Sequence, residues 1–170
     1  MKQYDAAAHR FYSSQNFNSL PLTSWDIYAT FFQNICDGYS DIVQLTQLAK
    51  VNKWCYQDSF NEALLHKQHV IVVTDPELKI VHATKNIVAM NGYLPEEILG
   101  AKPNMFQGAE TCRETTQMIK LAVQKKESFE ANILNYRKDG STYKCWIKGE
   151  PIFNTSGEVV NFIAYEKEVA

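Results

Sequence analysis

At His69 the hydrophobic period of the chain changes from about four residues to two, the difference between a helix face and a strand face. Before that point, over residues 25–67, the pattern is helical. Ile27, Phe31 and Ile35 lie four apart, as do Tyr28, Phe32 and Cys36, which makes a broad apolar face. Thr23 or Ser24 can cap this helix, with Asp26 opposing the dipole in its first turn. Asp37-Gly38 predicts its end. A second helix is expected from Ser40, with Ile42, Leu45, Leu48 and Ala49 turned inward. A third is expected from Ser59, where Ser-Phe-Asn-Glu62 has the spacing of a capping box. Residues 1 to about 20 are rich in Ser, Asn and Gln and read as a loose arm.

After His69 the β-branched run 69–74 stops at Asp75-Pro76, and 79–83 is a second strand. Short helical pieces follow up to Met105, broken by Gly92, Gly100 and Pro103. Residues 111–126 read as one longer helix with Met118, Leu121 and Ala122 on its buried side. Strands 128–137 and 141–153 are joined through Lys138-Asp139-Gly140, where Asp-Gly supplies the positive φ angles of a tight turn. The last strand, 158–166, follows Asn154-Thr-Ser-Gly157. This order predicts an α+β fold, with a five-stranded antiparallel sheet and all its helices on one face. The expected division is a helical extension, 1–67, and a sheet domain, 68–170.

Composition narrows the function. A net charge of −2 and a pI near 6.1 give no basic field for a nucleic-acid backbone. No apolar run is long enough to span a membrane, and the first residues lack the apolar core of a signal peptide. Cys36, Cys55, Cys112 and Cys145 are widely spaced and form no zinc pattern, so they read as reduced thiols of a cytoplasmic protein. His66 and His69 straddle the change from helix to strand, which argues against a metal pair. No cysteine has a histidine at a pairing distance in sequence, and Glu96-Glu97 reads as a solvated first turn, so no catalytic residues are expected.

Four ordered motifs carry a resemblance. They are Val-Val-Thr-Asp75, Asn91-Gly-Tyr-Leu-Pro-Glu-Glu-Ile-Leu-Gly100, Phe106-Gln-Gly-Ala-Glu-Thr111 and Leu134-Asn-Tyr-Arg-Lys-Asp-Gly140. Residues from about 69 to 168 resemble a PAS sensor domain, nearest to its light-oxygen-voltage (LOV) branch. The resemblance implies a cupped sheet whose concave face, with small helices and one long helix, encloses a pocket for a cofactor or metabolite. It also implies a role in signal transduction rather than catalysis. Photoactive LOV domains carry an adduct-forming cysteine in the segment that here reads Gly100-Ala-Lys-Pro-Asn-Met-Phe-Gln107, and Pro103 stands in its place. Proline has no nucleophile, so that photochemistry is absent.

Side-chain alternation names the two faces of the sheet. Phe129, Ala131, Ile133 and Asn135 share one face, against Leu134 and Tyr136; Tyr143, Cys145 and Ile147 oppose Lys144, Trp146 and Lys148. Phe162, Ala164 and Glu166 oppose Ile163 and Tyr165. Ile133, Asn135, Cys145, Phe162 and Glu166 are expected to line the pocket. By the resemblance, Gln107 and Asn135 match flavin-contacting positions. Cys145 replaces the family's second asparagine, Glu166 its glutamine, and Asn104 the arginine that would pair with a flavin phosphate. Flavin is therefore disfavoured as cofactor, because a lost partner leaves a buried group unpaired at about 1–3 kcal/mol. Each residue also has a plainer reading. Asn135 can bond sheet-edge backbone, Gln107 can cap a helix end, Cys145 can be a small core residue and Glu166 can be solvated near a strand end. Haem ligation through His82 is disfavoured too, since no histidine falls on a pocket-wall helix. The opposite face, with Leu134, Tyr136, Trp146, Ile163 and Tyr165, is too apolar for water. Helices 25–67 or a second subunit should cover it, and a homodimer through those helices and that face is expected.

Overall fold

The computed structural model describes residues 23–55 and 60–169. The arm expected at 1–20 and the capping Ser59 lie outside the described residues. The chain forms two compact units, Met1–Gln33 and Asn34–Ala170, and the second contains the sheet. Its strands are β1 (Val70–Thr74), β2 (Ile80–Ala83), β3 (Phe129–Tyr136), β4 (Thr142–Phe153) and β5 (Val159–Val169). They are ordered β2-β1-β5-β4-β3, and every neighbouring pair is antiparallel. Small helices α2 (Ile87–Asn91) and α3 (Pro95–Ile98), a 3-10 turn (Pro103–Phe106) and the longer α4 (Arg113–Lys125) stand between β2 and β3.

The turns follow from their side chains. Asp75 Oδ1 accepts the backbone N–H groups of Glu77 and Lys79 at 2.9 and 2.8 Å, which closes the β1–β2 hairpin. The β3–β4 turn differs from the expected one. Gly140 alone has positive φ (86°), and its N–H donates to Arg137 O, so a three-residue loop ending in a left-handed glycine replaces the two-residue turn.

Two expected helices are one. Helix α1, Thr23–Val51, passes through Asp37-Gly38 without a stop. A Cβ at Gly38 would lie 2.9 Å from Leu65 Cδ2, so this glycine serves close packing rather than termination. Asp37 is also drawn into the helix's contacts, where it pairs with Lys85 Nζ at 2.8 Å. The third expected helix centres on a single π-helical turn, Glu62–His66. Helix α4 is rolled relative to expectation. Met118 and Leu121 face solvent, and Ile119 packs on the core instead.

Burial separates the two faces of the sheet. The concave face joins Val70, Val72 and Ile80 to Met90, Ile98 and Phe106, and to Ile133, Tyr143 and Cys145 of β3 and β4. The outer face places Ile71, Val73, Ile163 and Tyr165 under Leu45, Ala63 and Leu64 of the chain's own helical segments, with Trp146 partly buried beside them. Each such large side chain taken out of water contributes about 1.5–3 kcal/mol. Leu134 and Tyr136 are outside that cluster. Because β3 is an edge strand, Tyr136 lies against Gly108, where an added Cβ would sit 2.5 Å from its ring, and its hydroxyl accepts the Glu110 N–H.

Polar links hold the extension in register. Trp54 Nε1 donates to Asn161 Oδ1 at 2.8 Å, and Asn161 Nδ2 donates to Thr74 O at 2.9 Å. Cys55 N donates to Phe153 O at 2.8 Å. Asp41, 3% exposed, accepts the Lys85 N–H at 2.9 Å, and burial raises its pKa to about 6.

Candidate ligand-sensing site on the concave face

The register of β3, β4 and β5 gathers polar groups inside the cup. Ile133 pairs with Cys145 and Asn135 with Tyr143 across β3–β4, while Glu166 pairs with Ile147 on β4 and Val70 on β1. Period-two alternation then points Asn135, Tyr143, Cys145 and Glu166 to one side, and all four are buried. The solvated reading of Glu166 is corrected here. The strand continues to Val169, so Glu166 is interior and 4% exposed.

The Cys145 thiol donates to Glu166 Oε2 at 3.8 Å. Burial pushes the Glu166 pKa up to about 7. Burial, and then the Glu166 charge, push the Cys145 thiol well above the ordinary thiol range. The Tyr143 phenol is raised first by burial and then by Glu166, while Asn135 and Asn91 nearby work in the opposite direction. Neither amide closes a well-formed hydrogen bond with that phenol. Tyr143 OH and Asn91 Nδ2 are both buried without a hydrogen-bond partner among the described residues. Asn91, which holds Tyr93 N–H through its oxygen, belongs to this cluster and was not singled out by sequence reasoning. Its place at the end of α2, just before the left-handed Gly92, was the available signal.

Arg137 closes the rim. One of its nitrogens donates to Met90 O of α2, another to Glu168 of β5 at 2.6 Å, and its guanidinium lies 4.5 Å from the Tyr143 ring centroid. The remaining expected site residues lie apart from the cluster. Phe162 is half-buried, Asn104 is exposed on the 3-10 turn, and Gln107 borders an open groove of about 550 Å³ along α4 with Arg113 and Lys120. A smaller cavity of about 250 Å³ lies on the outer face, between the π turn and His69, Trp146 and Tyr165.

A family model for the PAS domain matches residues 68–169. The chain belongs to the PAS family. Within it, relatives include LOV proteins. Protein TWIN LOV 1 of Arabidopsis thaliana is 34% identical over 113 residues, covering 64% of this chain and 28% of the relative. The blue-light photoreceptor of Listeria monocytogenes is 31% identical over 102 residues, 58% of this chain and 40% of its own. The chain thus spans less than half the length of these curated relatives. Among solved structures, the dark structure of the blue-light photoreceptor Aureochrome1 LOV aligns with a TM-score of 0.62 at 29% identity. That alignment covers 68% of this chain and 86% of the other. This PAS domain is a sensory, signal-transducing fold of the LOV type, and among the described residues no helix is long and apolar enough to cross a membrane.

Phe106, Met90 and Tyr143 pack together on the concave side of this PAS domain, and the thiol of Cys145 and carboxyl of Glu166 meet each other where the family resemblance implies amides. Two buried polar atoms of this interior, Asn91 Nδ2 and Tyr143 OH, have no hydrogen-bond partner among the described residues.

Proposed function

We propose that this chain is a non-catalytic sensory module whose side-chain-filled interior reports through β5 to the helical extension. The observation that carries it is the two-faced character of β5. Glu166 belongs to the concave polar cluster, while its neighbour Tyr165, with Ile163, packs beneath Leu45, Ala63 and Leu64. A change of packing or charge around Glu166 therefore bears directly on the strand that seats the extension. A sensor needs such a differential contact between two arrangements.

The absence of catalysis is part of this reading. Cys145 is buried beside a carboxyl that opposes thiolate formation, the reverse of what a nucleophile needs. The exposed thiols Cys36, Cys55 and Cys112 support a reducing, cytoplasmic setting. Homodimerisation belongs to the reading as well. An absorbance scan with native mass spectrometry of the purified full chain tests the interior. A colourless protein that takes up no added flavin is expected, and a yellow one overturns the proposal.

The second reading is a flavin-binding LOV-like module without adduct chemistry. Buried Asn135 favours it, as do Gln107 and the α4 groove, whose Arg113 and Lys120 suit an anionic ligand tail. Bound flavin would supply redox chemistry there, and the same colour test decides.

A further inference from the structure

The outer-face cavity, about 250 Å³, is walled by three rings. Period-two alternation puts Trp146 of β4 and Tyr165 of β5 on that face, and His69 stands at the foot of β1. The His69 ring centroid lies 5.2 Å from that of Trp146, tilted by 42°, and 6.3 Å from that of Tyr165, tilted by 60°. Two of these rings are fixed from outside. Trp146 Nε1 donates to Glu130 Oε1 at 2.8 Å, and His69 N donates to Ala63 O of the π turn at 2.9 Å. Gln68, just before His69, takes a left-handed φ of 53°, which a non-glycine residue keeps only where its surroundings demand it.

The charges at the mouth favour an anion. Among the described residues, Lys67 and Lys148 line the cavity against a single acid, Glu62. Glu62 holds Lys67 at 2.7 Å and Glu150 holds Lys148 at 2.6 Å, and exposed pairs of this kind are weak enough for a lysine to turn to an incoming anion. Cross-strand register adds a third cation, because Lys167 stands beside Trp146. Lys167 and Lys67 both act on the His69 ring, and with burial they hold it below the ordinary histidine range, so it is neutral at pH 7. Three rings alone would suit a cation. Three lysines around them oppose one. The volume falls just short of the roughly 300–1,000 Å³ of pockets for drug-sized ligands, which leaves room for one or two rings and an acid group.

We propose that the outer-face cavity binds a small aromatic carboxylate, with its rings against Trp146, Tyr165 and His69 and its acid group between Lys67 and Lys148. The site lies on the opposite side of the sheet from the polar cluster of the cup, and it stands whatever that cup holds. A ligand there touches the π turn and the sheet together, so it favours the arrangement in which the two are docked.

Three probes with one two-ring skeleton test this on the full chain: 2-naphthoate, 2-naphthalenemethanol and 2-naphthylmethylammonium. The chain has three tryptophans, Trp25, Trp54 and Trp146, and Trp146→Phe identifies the Trp146 indole N–H signal in a nitrogen-15 spectrum. Naphthoate should shift that signal saturably with a Kd of about 1 mM or below, while the indole of Trp54, bonded to Asn161, stays in place. The alcohol should bind more weakly and the ammonium most weakly. Lys67→Gln combined with Lys148→Gln should weaken naphthoate about tenfold and leave the alcohol unchanged. The dispersion of the same spectra confirms that each variant is folded. The proposal is overturned if naphthoate does not saturate, if the ammonium binds as tightly, if the glutamine pair leaves naphthoate binding intact, or if concave-face amides move in place of Trp146. Colour reports on the interior and the Trp146 indole on this face, so each reading fails separately.

Discussion

The Cys145 thiol and the Glu166 carboxyl face each other across β4 and β5 at 3.8 Å, and both are buried. A protonated carboxyl is comfortable there and an ionised one is not. The folded-state pKa of Glu166, about 7, stands above its unfolded value, as does that of Asp41, about 6. Both groups therefore contribute stability that is complete below the unfolded carboxylate range and is lost as pH rises through about 7. Glu166 alone accounts for about 1–3 kcal/mol of this change. Urea midpoints should rise between pH 8.5 and pH 5.5, both values about one to two units either side of the transition. Glu166→Gln should flatten that slope and stabilise the protein at alkaline pH. An unchanged slope in the variant would refute the assignment.

Tyr143 buries a hydroxyl that closes no well-formed hydrogen bond among the described residues. Tyr143→Phe removes the orphan while keeping the ring beneath Arg137, so stability should hold or rise by about 1 kcal/mol. A loss of 2 kcal/mol or more, about the cost of breaking a real buried hydrogen bond, would mean that the phenol has a partner after all. Thermal unfolding reads this directly.

Trp54→Phe should act in the opposite sense. It strips the indole donor from Asn161, which is 3% exposed and cannot turn to solvent. A cost of about 1–3 kcal/mol is expected. Hydrogen exchange should show the loss concentrated where residues 54–55 meet the β4–β5 end of the sheet. Uniform loss of protection across the sheet would contradict that local role.

Gly38 offers a test of magnitude. Alanine gains about 1 kcal/mol of helix propensity over glycine, and it meets only the movable tip of Leu65. Gly38→Ala should therefore shift stability by less than about 1 kcal/mol. Gly38→Val has no comparable gain and should cost about 1–3 kcal/mol through overpacking. If valine proves as mild as alanine in denaturant titration, the notch does not exist.

Much of this architecture was legible because strand alternation is local. The side choices for Ile133, Asn135, Tyr143 and Cys145 required only a period of two, and the hairpins were marked by Asp75-Pro76 and Lys138-Asp139-Gly140. What escaped was tertiary. A glycine after an aspartate reads as a helix stop, and only Leu65, folded back from far along the chain, turns Gly38 into a contact. Alternation puts Tyr136 on the outer face, yet it cannot say that β3 is an edge from which a tyrosine reaches Gly108. The rolled face of α4 has the same origin, since Met118 and Ile119 are equally apolar and the sheet decides between them. The burial of Glu166 depended on where β5 ends, the least legible property of any strand.

The strand order carries a consequence for synthesis. β1 and β4 both lean on β5, which lies between them although it comes after them in the chain. A nascent chain can zip the β1–β2 and β3–β4 hairpins early, but the two ribbons have no common seam until residues 159–169 emerge. Long-range closure of this kind is slow and leaves unpaired edges in waiting. Before that moment the helical extension has half a floor to settle on, which makes assembly of the outer face a late event on the ribosome.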